Sequence, residues 1–455
     1  MTQQDRPTAQ LARFLADLTN GGIPAAVEEI ARRHLLDVLA GLFAGRSVPE
    51  METLLAHVAA TAPGEACIPA TSRRCAAPAA AGATAALCHA AESDPIDGGT
   101  TICAGAVTVP AALILCQHRP VTGRRFLAAT VGGYEAGIRL GRAAGSSSLL
   151  GRGFWPTAVC GAVAAAATGA VALELDADRT RHALGLAAVH AGGLATGGAE
   201  APAARSMLCA ATVRAGLDAV LAAEAGMAGP AEAFDGERGF LAAFANAPDP
   251  AALTDGLGDR WSIGGASQKA WPCALQAQSA VDALRTALAA GAFAAARISK
   301  IVIDLPAAMR RIVDRPGAPA THFSAAASIQ FLAAALILDG DIAPRRLGAE
   351  GRGEKAVLDL MKKVMVRHDP ALDARFPAEW PARVTVRAAG REETREVSAP
   401  PGHPSRPLTF AETADRFRAY AAGYLDTETR ESVIALVDGL ADAPDAGQLA
   451  ALLCC

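Results

Sequence analysis

Aromatic side chains make up only 4% of this 455-residue sequence, although 51% of it is hydrophobic. The apolar content is therefore mostly alanine, leucine and valine, which favours helices packed closely through small side chains. A mainly α fold is the expectation. Charge of one sign is lacking too: 42 basic and 46 acidic residues are intermixed and leave a net charge of −4. No basic stripe is available for a phosphate backbone, so nucleic acid is excluded as a partner. Apolar runs such as "TAVCGAVAAAATGAVALEL" are short of bulky side chains and of basic flanks, so they read as buried core helices and no membrane partner is expected. The start, "MTQQDRPTAQLARFLADL", has no basic segment followed by an apolar one, which points to a cytoplasmic location. The ten cysteines form neither a CxxC pair nor a zinc-ligand spacing, and Cys454–Cys455 is their one close pair. Most are expected to be reduced, buried small hydrophobes, with no metal site. "GGLATGG" lacks the Gly-Lys-Ser/Thr ending and a preceding strand, so a phosphate loop is rejected. No dinucleotide fingerprint occurs, and no cofactor is expected.

What is present is helical periodicity in a chain long enough for two or three domains. "IPAAVEEIARRHLLDVLAGLFAG" places Ile23, Val27, Ile30, Leu35, Val38, Leu39 and Leu42 near a 3.6-residue spacing, with Pro24 at its start and Gly45 at its end. Further helices are predicted over 107–117, 123–141, 156–173, 178–189, 206–225 and 277–290. The texture changes at Ile298, where "ISKIVIDLP", "VMVRHDP" and "ARVTVRAAGREETREVSAP" alternate as strands, the last as a hairpin turning at Ala389–Gly390. Helical "SAAASIQFLAAALILDG" and "GEKAVLDLMKKV" lie between them, so a small α+β domain is expected there. "FAETADRFRAYAAGYL" onward is helical again and is expected to return to the first domain. The division is a helical domain over 1–290 completed by 408–455, and a smaller domain over 291–407.

Chemistry-bearing residues concentrate in "CHAAESDPIDGGTTICAGAVTVPAAL", between two apolar helices. Asp94 and Asp97 there suit either capping of backbone N–H groups or acid–base work. His89 stands on the apolar side of its helix, where a satisfied core histidine is the plain alternative to a functional one.

Several segments in order resemble the MmgE/PrpD family of 2-methylcitrate dehydratase, cis-aconitate decarboxylase and iminodisuccinate epimerase. "IPAAVEEIARRHLLDVLAGLFAG" is similar to the family's first helix and "CHAAESD" to its His-x-x-Asp-x-Asp loop. "GAVTVPAALIL", "GYEAGIRLG", "GRGFWPTAVCGAVAAAA", "SQKAWPC" and "RPLTFAETADRFRAY" follow as the family's later helices, its Gly-Phe-His-Pro-Thr and Lys-Pro-x-Pro segments and its C-terminal return. The resemblance implies a large helical domain with a smaller α+β lid, a homodimer, and an active site between the domains. It also implies cofactor-independent removal of a proton next to a carboxylate, followed by loss of water or carbon dioxide or by return of the proton. Carried over by position, the loop histidine is His89, its aspartates are Glu92 and Asp94, and a third acidic position is Pro95. The histidine before the next helix is Cys103, that of the Gly-Phe-His-Pro-Thr segment is Trp155, and the tyrosine of the "SxxY" segment is Phe331. Arg205 stands at a lysine or arginine position, and Lys269 is retained.

The resemblance thus implies Asp94, Cys103, Lys269 and Arg205 as catalytic residues and His89, Glu92, Trp155 and Phe331 as substrate-binding ones. Cys103 serves as a base only if a helix N-terminus or Lys269 lowers its pKa. Lys269 is otherwise a solvated surface lysine, Trp155 a wall, and His322 a possible stand-in for a lost imidazole. Three readings follow. One is a lyase or isomerase acting on an organic acid or a related carbonyl compound. A second is a repurposed member handling a bulkier, less charged biosynthetic intermediate by dehydration, isomerisation or cyclisation. The third is an inactive dimeric binding protein.

Overall fold

The computed structural model describes residues 6–196 and 202–454. The last two glycines of "GGLATGG" and Cys455 lie outside them. The fold is mainly α. Its buried apolar side chains form two clusters, one from Leu11 to Ala266 that resumes with Ala414–Leu453, the other from Trp271 to Ala388. Ile96, in the loop after His89, packs against both.

The first body is built on small side chains. Every residue of the helix Pro156–Ala172 is buried, which suits a helix with no polar face. The helix Ala77–Ala90 packs on Pro202–Glu224 so closely that a Cβ at Gly82 would fall 2.4 Å from the Ala210 carbonyl oxygen. These two helices carry His89 and Arg205, so the approach that Gly82 permits sets their separation. Among the described residues one helix, Ala203–Glu224, is long and apolar enough to cross a membrane by length and composition; 56% of its most apolar window is buried, and it packs against the neighbouring helices of the first body.

The second body holds a four-stranded sheet in the order Val364–His368, Ile298–Leu305, Ala382–Ala388, Arg391–Val397. The first pair is parallel and the others antiparallel. The hairpin turns at Ala389 and Gly390, both with positive φ, as a two-residue type I′ turn needs. The helices Leu275–Gly291 and Ile329–Asp339 pack against this sheet or each other. The predicted helix over "SAAASIQFLAAALILDG" is two helices, His322–Ala326 and Ile329–Asp339. Ser328 caps the second by accepting from the Phe331 N–H, and its preference for that role outweighs continuous helical periodicity. After the second body the helix Phe410–Ala421 packs on Ala25–Gly45 in the first body.

Cysteine pairing departs in one place from the expectation of reduced thiols. Cys67 and Cys454 form a disulfide across 387 residues, tying the C-terminus to the ladder between Ala66–Cys67 and Arg74–Cys75. Spacing could not reveal it because the partners meet only in the fold. The other seven cysteines among the described residues are free and buried.

Candidate active site

A two-residue ladder assembles the site. Ile96–Asp97 pairs antiparallel with Ala266–Ser267, which brings the loop after His89 against the segment carrying Lys269. The Lys269 ammonium lies 3.2 Å from Glu92 Oε2 and 3.4 Å from Asp94 Oδ1. Arg205 closes the group from its helix, 3.0 Å from Glu92 Oε1. His89 Nδ1 lies 2.8 Å from Asp94 Oδ2. An ionised carboxylate only accepts, so Nδ1 carries the proton of that bond, and Nε2, 3.9 Å from Glu92 Oε1, is left without a hydrogen-bond partner.

Trp155, the residue before the helix Pro156–Ala172, holds the group from one side. Its ring lies 4.9 Å from the His89 ring and 4.7 Å from the Arg205 guanidinium carbon. Phe323 flanks the same guanidinium at 5.1 Å, so the cation is held between two aromatic rings.

Burial opposes the charge on each member, and mutual attraction overrides it. Burial would raise the Glu92 carboxyl, but Arg205, Lys269 and His89 hold it well below the usual carboxylate range. Asp94 is likewise depressed against its burial by His89, Lys269 and a hydrogen bond from Cys103. Burial would lower Lys269, yet Asp94 and Glu92 raise it. The cluster is a set of fixed charges that survive burial because each faces its opposite. Cys103 differs. Burial and the neighbouring Asp94 push its thiol well above the ordinary value, so it stays protonated and donates. Its backbone N–H donates to Thr157 Oγ1 at 3.1 Å. The expectation of a Cys103 base is corrected on that ground: burial and Asp94 outweigh the lowering by Lys269 and Arg205 that would free a thiolate.

A cavity of about 300 Å³ opens where the two bodies meet, and Glu92, Trp155, Arg205 and Lys269 line it. The rest of its wall includes Ile96, Leu150, Leu194, Leu275, Ile312 and Phe323, with Thr101, Gln276 and Arg315 as further polar members. Asp94, Cys103 and His89 are not on this wall. Asp94 and Cys103 sit behind Glu92 and Lys269, and His89 faces a second, smaller cavity. Phe331 also departs from the expectation. It is fully buried in the core of the second body and does not line the cavity. Its helix turns that position inward, which a residue-by-residue carry-over does not reveal. Asp97 follows the capping alternative, with Oδ2 accepting from Thr100 N–H and Oγ1 at 2.8 and 2.7 Å.

His89, Asp94 and Cys103 bring nitrogen, oxygen and sulfur donors within 4.8 Å of one another, a set a divalent ion can use. The Lys269 ammonium beside Asp94 opposes a further positive charge there. Sequence reasoning passed over Arg315, Phe323 and two tyrosines. Tyr134, whose hydroxyl lies 3.2 Å from His34 Nδ1, is raised by burial and by Asp94 and Cys103. Tyr420 is also raised by burial. Only three tyrosines occur in the chain, and that scarcity was the signal available.

Residues 9–253 match the MmgE/PrpD N-terminal domain and residues 271–442 the MmgE/PrpD C-terminal domain. The chain belongs to the MmgE/PrpD family. The C-terminal match includes Phe410–Ala421, which packs in the first body. A cis-aconitate decarboxylase-like protein, oryM, of Aspergillus oryzae is 27% identical over 99% of this chain and 98% of its own length. The cis-aconitate decarboxylases of Mus musculus and Homo sapiens are 28% and 27% identical. Those matches cover 66% and 70% of this chain and 62% and 67% of the relatives. MmgE/PrpD membership therefore places the chain among enzymes of lyase type whose relatives act on small organic acids.

Proposed function

We propose that this protein removes the proton next to a carboxylate or carbonyl of an organic acid, as a lyase or isomerase, and that its substrate carries one anionic group on an apolar body. The observation that carries the reading is the joining of a buried charge cluster to a largely apolar cavity. Glu92 and Asp94 balance Lys269 and Arg205, and Arg315 on the wall adds a single further positive charge. One carboxylate matches that excess, whereas a tricarboxylate such as cis-aconitate brings three negative charges to it. Trp155, at a position where the family has an imidazole, adds apolar area and no charge.

Glu92 is the base in this reading, because it is ionised and lies on the cavity wall while Asp94 does not. A substrate carboxylate binding Arg205 and Lys269 competes with Glu92 for both cations, and losing them raises its basicity. The C–H bond then breaks, its proton passes to Glu92, and the electron pair spreads into the adjacent carbonyl or carboxyl oxygens beside Lys269. Asp94 orients His89 and Lys269. Lys269 and Arg205 carry the developing charge, so the step calls for no electron-sink cofactor.

The test is a ligand panel read by thermal shift and calorimetry, comparing alkyl- and aryl-substituted monocarboxylates with cis-aconitate. Tighter binding of the monocarboxylates is expected. Tighter binding and decarboxylation of cis-aconitate would refute the substrate class.

A further inference from the structure

Buried polar atoms without partners converge on one small cavity. It encloses about 20 Å³, and its lining includes Glu50, His89, Glu92, Arg205, His322 and Phe323. Glu92, Arg205 and Phe323 also line the large cavity, so they form the wall between the two. Glu50 Oε2, His89 Nε2, Arg205 Nε and both ring nitrogens of His322 have no hydrogen-bond partner. His89 and His322 are only 2% and 3% exposed. Buried groups of this kind are seldom left unpaired in a folded protein. A cavity holds a water molecule once it offers about one water-sized sphere, roughly 10–15 Å³, and two to four polar partners. Both conditions are met.

We propose that this cavity binds one water molecule between His89 and His322, and that His322 relays protons between Glu92 and solvent through it, leaving past Glu50. The relay rests on Glu92 taking the substrate proton. After that step Glu92 is a neutral acid. It gives its proton to the water, the water gives one of its own to a ring nitrogen of His322, and His322 releases it outward; Glu92 is again a carboxylate and no other bond changes. His89 Nε2, the ring nitrogen that the Nδ1–Asp94 bond leaves without a partner, hydrogen-bonds the water and orients it.

His322 suits the relay because it is neutral at rest. Burial and Arg352 lower it to about 4, although Glu92 favours the proton. The charged and titratable groups around it are Arg352, Glu50, His89, Glu92 and Arg205. Glu50 is half-buried at the start of the helix Glu50–Thr61, which makes it the outlet. His322 touches no substrate and is a positioning and relay residue.

Two measurements test this. A high-resolution crystal structure of the wild-type protein is expected to show water density within hydrogen-bonding distance of His89 Nε2 and a His322 ring nitrogen. A dry cavity, or a His322 whose nitrogens bond only protein atoms, overturns the proposal. Loss of deuterium to solvent from an α-deuterated acid that the wild type exchanges is expected to fall at least about tenfold in His322→Ala and to recover with added imidazole. His322→Gln, which keeps a polar side chain, reports on folding through its unfolding midpoint. Wild-type washout in a folded His322→Ala, or loss that imidazole leaves unrestored, overturns the relay. Absence of exchange by the wild type with every acid counts against the function proposed above, while the density still decides the water.

Discussion

Two buried ion clusters in this molecule are made of similar parts and finished differently. In the first body Arg139 meets Glu135 at 2.6 Å and donates to the carbonyls of Asp255, Gly256 and Arg260, while Glu135 also accepts from Ser262. No side-chain atom of that pair lacks a partner among the described residues. Around Glu92, by contrast, Arg205 Nε and His89 Nε2 have no hydrogen-bond partner, and both residues line a cavity. One cluster fastens a loop; the other keeps donors and acceptors open. The electrostatics separate too. A single arginine does not offset the burial of Glu135, whose pKa is raised. Two cations and a histidine offset that of Glu92, which is depressed. Ion pairs at equal depth therefore differ by what surrounds them.

Removing the base should have the largest effect. Glu92→Gln is expected to slow proton exchange by about 10²–10⁴-fold with the fold retained, whereas Glu135→Gln should leave exchange near wild type; comparable losses from both would erase the distinction. Next comes stability. Lys269→Met leaves buried Asp94 without its ammonium and Glu92 with Arg205 alone, and should cost about 3–5 kcal/mol in denaturant unfolding. Arg139→Met should cost a similar amount, and of the two variants only Lys269→Met should also abolish ligand-induced stabilisation.

A smaller effect is the opposite response of the clusters to acid. The depressed carboxyls of Glu92 and Asp94 contribute stability that is fully present above their ordinary values of 4.5 and 3.8 and is lost as pH falls through their folded values. Raised Glu135 contributes stability that is present below 4.5 and is lost as pH rises through its folded value. The stability gap between wild type and Asp94→Asn should therefore shrink as pH falls below 3.8. The difference of wild type minus Glu135→Gln should shift in favour of the wild type over acid pH. Equal trends from unfolding curves between pH 6 and 3 would contradict the assignment. The smallest change is expected from Cys103→Ala. A protonated thiol is not the base, so exchange should fall by less than about tenfold.

The helices and the sheet were legible in the sequence because periodicity and turn chemistry are local. Pro156, the Ala389–Gly390 turn and the apolar faces each act within a few residues. The cluster was legible in part, through the order of motifs that placed Glu92, Asp94, Arg205 and Lys269. Which carboxylate meets the cavity was not. Glu92 and Asp94 are two residues apart, and only the ladder of Ile96–Asp97 with Ala266–Ser267 decides that Glu92 faces outward while Asp94 lies behind. Phe331 was misplaced for a related reason, since its helix register is set by packing in the second core. The partnership of His322 with His89 depends on two bodies meeting, and no single-chain spacing encodes it.

The most direct measurement is proton NMR in deuterated water of a monocarboxylate that the wild-type protein binds, followed at the carbon beside the carboxylate. The account predicts that wild-type protein replaces that hydrogen with deuterium and that Glu92→Gln, folded and still binding the acid, does so at least about 10²-fold more slowly. Exchange at an undiminished rate in Glu92→Gln would contradict it.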